Sequence, residues 1–484
     1  MRRYAIPAKR ASGARDSSAT GRASIERQRV SERPNHTFSV LRHGVFRWIW
    51  AGALVSNVGN WMEAVAQSWL VQRQTGSPFM VELLAASEFV PHALLMLAAG
   101  WLADHYDRRK VLLYGQIVMM IFGAALAVAA HLGLASPWVV IALAFAEGAA
   151  WATVTPAWQA LVPALVPRDE LPQAIALNSV QFNTARLLGP MLAGALLSLA
   201  SAAFVFDLNV VSFVGIVVVL ALVRIPAAPL ADAPTTGSKL KSSGGVRLAL
   251  KWAWKERGPR RLILGLFMFA LFAAPVQGLL PAMADSVLHV GAHGYGVLLS
   301  CLGAGAICGA LTLAQLPREY PRHHLIPISM LAFSLCAMIY ATARWPQLAA
   351  AALGVGGVFW VWSLASSSTA MQLLVPEELR GRAMSVLALA TTGPLPLGHL
   401  LGGAVAHTFG IRAGVLLSAS ALAVFSAWSA WAREPAIDAL LPRGLAQRGV
   451  RAALWEALTA ASHRAQEVEP GVPPGSAEPV EEMK

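Results

Sequence analysis

Charge is what this sequence has least of. Only 13% of its 484 residues are Asp, Glu, Lys or Arg, about half the share usual in a soluble domain. Cysteine is scarce as well, at 3 residues, which excludes a disulfide framework and the paired spacings of a Cys/His metal site. The sequence has no His-Glu-x-x-His, no paired Ser/Lys or His/Asp constellation, and no phosphate loop of the Gly-x-x-x-x-Gly-Lys-Ser type. Neither an enzyme nor an ATP-driven pump is therefore expected of this chain, and no cofactor or metal is called for. What is abundant is apolar: 56% of the residues are hydrophobic. They fall in about a dozen runs of roughly 20 residues, the length that crosses a bilayer.

Twelve spans are expected, at 46–71, 79–103, 111–131, 137–159, 173–199, 201–223, 262–287, 291–315, 325–343, 346–373, 382–408 and 411–431. The fold class is an all-α integral membrane protein. An even number of spans puts both termini on one side. With that side cytoplasmic, every Lys and Arg except Arg73, Arg344, Arg412 and the intramembrane Arg186 lies inside, as the positive-inside bias requires. The net charge of +12 is then a topology marker. Nucleic-acid binding is not expected, because the basic tails lack the interleaved aromatics and recognisable fold that base contacts need.

Segment 1–44 is rich in Arg and Ser and has no apolar core, so it is expected as a disordered basic cytoplasmic tail, neither a secretory signal nor a span. Residues 225–261 read as a cytoplasmic linker whose basic, Trp-bearing part at 247–261 forms an interfacial helix on anionic lipid. Residues 432–484 read as a cytoplasmic tail, with an amphipathic helix near 437–465 before a Pro- and Glu-rich end.

The sequence repeats itself at an offset of 209 residues. Leu165-Val166-Pro167-Arg168-Asp169-Glu170-Leu171 precedes the fifth span and Leu374-Val375-Pro376-Glu377-Glu378-Leu379 the eleventh. The run from Leu188-Gly189-Pro190 to Gly194-Ala195 aligns with Leu397-Gly398-His399 to Gly403-Ala404, and Gly100, Leu102 and Arg109 align with Gly309, Leu311 and Arg318. Three matches at one offset indicate two parallel six-span repeats, 45–224 and 262–431, with a substrate site between them near the bilayer midplane.

The second span ends Gly100-Trp101-Leu102-Ala103-Asp104-His105-Tyr106-Asp107-Arg108-Arg109-Lys110. This resembles the loop between spans two and three of the major facilitator superfamily, a Gly-x-Leu-x-Asp pattern followed by a basic cluster. The resemblance implies twelve transmembrane helices in two pseudo-symmetric six-helix halves, the major facilitator fold. It also makes Gly100, Asp104, Arg108 and Arg109 a cytoplasmic gate, with Asp104 pairing across to the positive N-terminus of the span that starts near Arg382. Asp107 stands where the pattern usually has Gly, and the second repeat has Leu313 in place of Asp104, which weakens its own latch.

Further residues resemble one branch of that superfamily, the transmembrane secretion effectors, similar to the bacterial enterobactin exporter. They are Ser56-Asn57 with Trp61, Thr75-Gly76-Ser77-Pro78, Pro156-Ala157-Trp158-Gln159, Ala176-Leu177-Asn178-Ser179 with Asn183, Ala185, Arg186, Gly189 and Pro190, and Leu208-Asn209 with Ser212-Phe213. The match covers most of 45–225 and, more thinly, 260–430. It does not specify a substrate.

Polar residues inside the spans should carry the mechanism, because a charge facing lipid costs a few kcal/mol or more. Ser56, Asn60, Glu63 and Gln67 fall on one helical face. Glu63 is the first candidate for a proton carrier, since a desolvated carboxylate whose neighbours change can exchange protons near neutral pH; a permanent hydrogen bond to another helix is the alternative. Glu147, Trp151, Thr155 and Trp158 form a second face suited to aromatic or cationic ligands, with Trp158 the more anchor-like. Arg186, on a face with Ser179 and Asn183, needs a counter-ion, for which Glu63 and Glu147 are the candidates; gating or binding an anionic substrate are its other readings. Glu88, just before Pro91, is a secondary proton site. Gln277, Trp360, Ser363 and Ser367 are the candidate cavity lining of the second half, Asp207 reads as a helix N-terminal or interface residue, and His399 as a packing residue with proton handling as its alternative.

The expected function is a secondary active transporter of the bacterial cytoplasmic membrane: a proton-driven exporter of a small amphipathic molecule, drug-like compound, siderophore or secondary metabolite, acting by alternating access. Uptake, or flipping of a lipid-like substrate, competes with it, as does a sensor without transport. The expected partners are the substrate, protons and the lipid bilayer, with the protein a monomer.

Overall fold

The computed structural model describes residues 37–223, 253–316, 322–375 and 379–431, and every regular element among them is helical. In chain order these are α1 (Gly44–Thr75), α2 (Pro78–His105), α3 (Arg108–His131), α4 (Pro137–Leu161), α5 (Leu171–Leu199), α6 (Ala202–Leu222), α7 (Arg257–Gly278), α8 (Gly291–Gln315), α9 (Arg322–Thr342), α10 (Pro346–Leu374), the two-part α11a (Arg380–Thr392) and α11b (Leu395–Phe409), and α12 (Ile411–Trp431). A helix satisfies its own backbone groups, which is why apolar runs in lipid adopt it. Ten segments are long and apolar enough to cross a membrane. Helices α1 and α5 are as long but more polar, bringing the long segments among the described residues to twelve, each within a few residues of its expected span.

Short-range chemistry sets the breaks. Gly76 takes the left-handed conformation (φ +60°), and its N–H donates to Gln72 O; Pro78 then opens α2 at a position that needs no N–H donor. Asp107 caps α3, accepting from the N–H groups of Arg109 at 2.9 Å and Lys110 at 3.3 Å. Helix α7 runs on through Leu280–Ala282 into a π turn, Met283–Val287.

The 3-10 turn Thr37–Arg42 falls inside the segment expected as a tail up to 44. Val40 is fully buried against Phe46, Val162, Ala174 and Leu177, and both Arg42 and His43 pair with Glu170. One apolar side chain and a shared carboxylate thus order the last part of that segment. Residues 1–36, the first part of the interfacial stretch (247–252) and the helix near 437–465 lie outside the described residues; 257–261 forms the first turn of α7.

Helix α1 packs on α5 and α6, α2 on α4, and α3 on α4 and α6. In the second group α7 packs on α11b and α12, α8 on α10, and α9 on α10 and α12. The groups meet through two pairs, α5 with α8 and α2 with α11b. The 209-residue offset carries α2 onto α8 and α5 onto α11, so these two contacts are one another's symmetry mates.

Backbone-to-backbone approach makes the α5–α8 contact. A methyl on Gly194 would meet Ala292 O at 2.8 Å and Gly296 Cα at 2.9 Å, and one on Gly303 would lie 3.2 Å from Arg186 O. Small residues are what allow helices to come this near in a membrane. Ser300 donates to Leu187 O at 2.9 Å across this crossing, and the other polar ties between the groups lie at the end where α1 finishes. Gln72 donates to Asp285 at 3.3 Å and to Ser286 at 3.2 Å, Arg73 pairs with Asp285 at 3.3 Å, and Glu82 pairs with His399. Trp69 stacks on Tyr295 at the same end.

Large apolar side chains such as Leu94, Phe145, Val211, Leu417 and Val424 are exposed outward, the surface a bilayer covers. Exposed Trp48 and Trp431 lie near one end of their helices and exposed Trp138 and Trp345 near the other, the distribution of interfacial aromatic anchors.

Candidate functional site

The polar face of α1 points into its own helix group. Ser56, Glu63 and Gln67 are buried, while Asn60 is half-buried. Glu63 accepts from two amides: Gln67 Nε2 at 3.3 Å, one turn along the same helix, and Asn209 Nδ2 on α6. The same Gln67 amide reaches Glu147 Oε2 on α4 at 3.3 Å. Ser212 donates to Asn209 Oδ1 at 3.0 Å, so the amide oxygen of Asn209 is occupied and its NH₂ group is left to face Glu63. A polar chain thus runs from α6 through α1 to α4.

Two acids at its centre share few donors. Glu147 Oε1 has no hydrogen-bond partner, and a methyl on Gly123 of α3 would lie 3.7 Å from oxygens of both Glu63 and Glu147. The absent side chain at Gly123 leaves room beside the two carboxyls. Glu88 on α2 is the third acid, within electrostatic reach of both, and Gly148 lets α4 lie directly against the Glu88 backbone. The three acids singled out from sequence therefore form one cluster in the first helix group.

Arg186 does not join it. No carboxylate among the described residues lies within ion-pair distance of its guanidinium, contrary to the expected pairing with Glu63 or Glu147. It sits between two indoles instead, with Cζ 5.8 Å from the ring of Trp61 on α1 and 5.7 Å from that of Trp360 on α10, and its buried Nε has no hydrogen-bond partner. The α1 face that carries Glu63 turns that side chain toward α6 and α4, which leaves Trp61 as the α1 neighbour of Arg186.

The other expected lining residues divide. Trp151 stacks on His92 at 4.5 Å and meets Phe89 edge-on, and Phe89 stacks on His399 at 5.9 Å. Thr155 and Asn183 turn back on their own helices, donating to Trp151 O at 3.0 Å and Ser179 O at 2.8 Å. Gln277 is half-buried. Ser363 is fully buried and bonded to Ser329 at 3.0 Å and to Phe359 O at 2.8 Å. It holds α9 to α10 and does not face a cavity; Ser367 is equally enclosed.

The basic cluster serves its own group of helices. Arg109 donates to Leu220 O and Ala221 O, each at 2.6 Å, and Arg108 to Ala160 O at 3.3 Å. Both cations satisfy the last carbonyls of neighbouring helices, as positive charge at a C-terminus should. These contacts lie within their own helix group. Gly100 and Asp104 lie in the last turns of α2, and their surroundings fall outside the described residues.

Sequence reasoning missed the role of Asn209, which it noted only as part of a motif, and missed Glu82 altogether. Glu82 is fully buried and pairs with His399 across the two groups. An acid in an otherwise apolar span, with a His at the repeat position of Pro190, was the available signal. Trp158 ties α4 to α5 through Asn178 at 3.0 Å, and Asp207 on α6 pairs with His131 at the end of α3 at 2.8 Å.

Comparisons with known proteins agree with this architecture. A family model described as transmembrane secretion effector matches residues 35–450. Macrolide efflux protein A of Streptococcus pyogenes is 22% identical over 380 residues, 77% of this chain and 92% of that protein. The enterobactin exporter EntS of Salmonella paratyphi A is 28% identical over 365 residues, 75% of this chain and 86% of that one. Among solved structures, a bacterial homologue of the lysosomal transporter Spinster, in an inward-facing and unoccupied conformation, superposes with a TM-score of 0.66 at 13% identity, covering 82% of this chain and 98% of the other. The peptide transporter POT superposes with a TM-score of 0.64 at 14% identity, covering 82% and 96%. The chain is a multi-pass membrane transporter with the major facilitator fold, and it belongs to the transmembrane secretion effector family of that superfamily.

Proposed function

We propose that this protein is a proton-driven exporter of small amphipathic molecules in a bacterial cytoplasmic membrane, with both termini in the cytoplasm, acting as a monomer by alternating access. The observation that carries the proposal is the chain Asn209–Glu63–Gln67–Glu147, two acids sharing one amide donor inside the bilayer. Two ionised carboxylates at that spacing repel one another in a medium of low dielectric. A proton held between them relieves the repulsion, and its release demands a change in the surroundings. Rocking of the halves supplies that change by altering how far water reaches the two acids, which stand on α1 and α4 of the first half.

The halves 45–224 and 262–431 are the bodies that rock. Basic residues gather at the end where α1 starts, which supports a cytoplasmic placement of that end. The end closed by Gln72, Arg73, Asp285, Glu82 and His399 then faces outward, and the conformation is inward-open. Export is the direction in which the macrolide efflux and enterobactin exporter relatives are named to act, which supports the same direction here.

The decisive experiment uses proteoliposomes with an imposed pH gradient and, as probes, erythromycin and enterobactin. Accumulation that follows the gradient and is lost in Glu63→Gln supports the reading. Accumulation indifferent to both the gradient and the substitution sinks proton coupling through Glu63.

A further inference from the structure

Arg186 is a charge without a counter-charge. It stands on α5 where that helix crosses α8, close enough for Gly303 to pack on its carbonyl. Its guanidinium lies between Trp61 and Trp360 with Nε buried and unpartnered, and no carboxylate among the described residues lies within ion-pair distance. Cation–π attraction to two indoles offsets part of the cost of placing this charge in a membrane. It leaves the guanidinium N–H groups without an anion, and an unpaired guanidinium is a strong, forked hydrogen-bond donor to planar oxyanions.

The two indoles are held in place. Trp360 meets Phe269 and Phe333 edge-on at 5.3 Å and 5.4 Å, and Trp61 meets Phe182 edge-on at 6.4 Å. Rigid aromatic walls on either side of one cation match a ligand that is flat, apolar in body and negative at one edge. Trp61 and Arg186 belong to the first helix group and Trp360 to the second, so a ligand seated here touches both.

We propose that Trp61, Arg186 and Trp360 form a binding site for the anionic head of a planar aromatic acid, a carboxylate or phenolate. This deepens the transport reading and rests on it for the ligand's path, but binding itself does not require proton coupling. The site selects against amines, which the guanidinium repels. Because its walls come from both halves, loading the site also biases their relative position.

The test is equilibrium binding of radiolabelled 2-naphthoate to the purified full chain, in competition with neutral 2-naphthylmethanol and cationic 2-naphthylmethylammonium. Expected is saturable binding of the acid, displaced by neither the alcohol nor the amine at ten times its concentration. Arg186→Gln should weaken binding at least tenfold, Arg186→Lys less, because the charge remains while the stacked plane is lost, and Trp360→Ala about threefold to tenfold. Glu63→Gln should bind the acid as the native protein does even where it fails to couple transport to protons, which separates this proposal from the previous one. Equal affinity for acid and alcohol, or an unchanged affinity in Arg186→Gln, overturns it. Should Arg186→Gln not fold, the ranking of acid, alcohol and amine on the native chain decides by itself.

Discussion

The side-chain amide of Gln67 donates to both Glu63 and Glu147, at 3.3 Å in each case. One neutral donor therefore mediates between two acids on different helices, and its removal affects both. Gln67→Leu should leave the acids without their common partner and reduce gradient-driven transport at least tenfold. Gln67→Glu should do more damage, since it places a third acid in the same space. Transport in reconstituted vesicles, compared at matched expression, measures both; native rates in Gln67→Leu would show that the shared amide is dispensable.

Asn209 is fully buried and supplies Glu63 with its second donor. Replacing it with Leu keeps the volume and removes the N–H. A buried acceptor left without its partner costs about 1–3 kcal/mol, so the apparent melting temperature in detergent should fall along with transport. Asn209→Asp brings a further acid and should be worse than Leu. Equal melting of all three proteins would count against the bond.

Glu82 and His399 connect the two helix groups from within the buried interface. Removing one member of such a pair strands the other and typically costs about 3–5 kcal/mol, whereas replacing both with apolar residues of similar size is often neutral. His399→Phe and Glu82→Gln should each lower the melting temperature, and the double substitution Glu82→Leu with His399→Phe should recover much of the loss. Additive losses in the double variant would contradict a direct pairing.

Arg109 closes the C-terminal carbonyls of α6 within its own half. Arg109→Ala should cost on the order of 1–2 kcal/mol of stability and leave the relative position of the halves unchanged. Distances between spin labels on the two halves, taken with a thermal melt, separate these effects. A change in the distance distribution without loss of stability would assign Arg109 to the gate.

The course of the helices was legible in the sequence because hydropathy and breaker residues act locally. The runs ending at Gly76, Asp107 and Gly410 close where a left-handed turn or a cap demands it. That Glu63 and Glu147 approach one place was legible too, since a charge in a bilayer has few places to go; Glu88 was read only as a separate, secondary proton site. What the charge of Arg186 faces was not, because periodicity gives a side chain's face on its own helix and says nothing of the helix opposite. Asn209 and Glu82 were obscured for the same reason: each acquires its role from a partner more than 100 residues away, at Glu63 and His399. The ordering of 37–42 depends on Glu170 in just this manner, so the basic composition of that segment pointed the wrong way.

Where α5 crosses α8, Gly194, Gly296 and Gly303 bring main chain against main chain. Interdigitated side chains turn a helix crossing into a gear, in which every step of rotation requires rotamers to jump. A crossing without them behaves as a plain bearing: the two helices can pivot while their contact is kept and no torsional barrier is climbed. For the rocking proposed above, the resistance to movement then lies in a few polar catches, Ser300 on Leu187 O at the crossing and the ties around Asp285 and His399 at the end where α1 finishes.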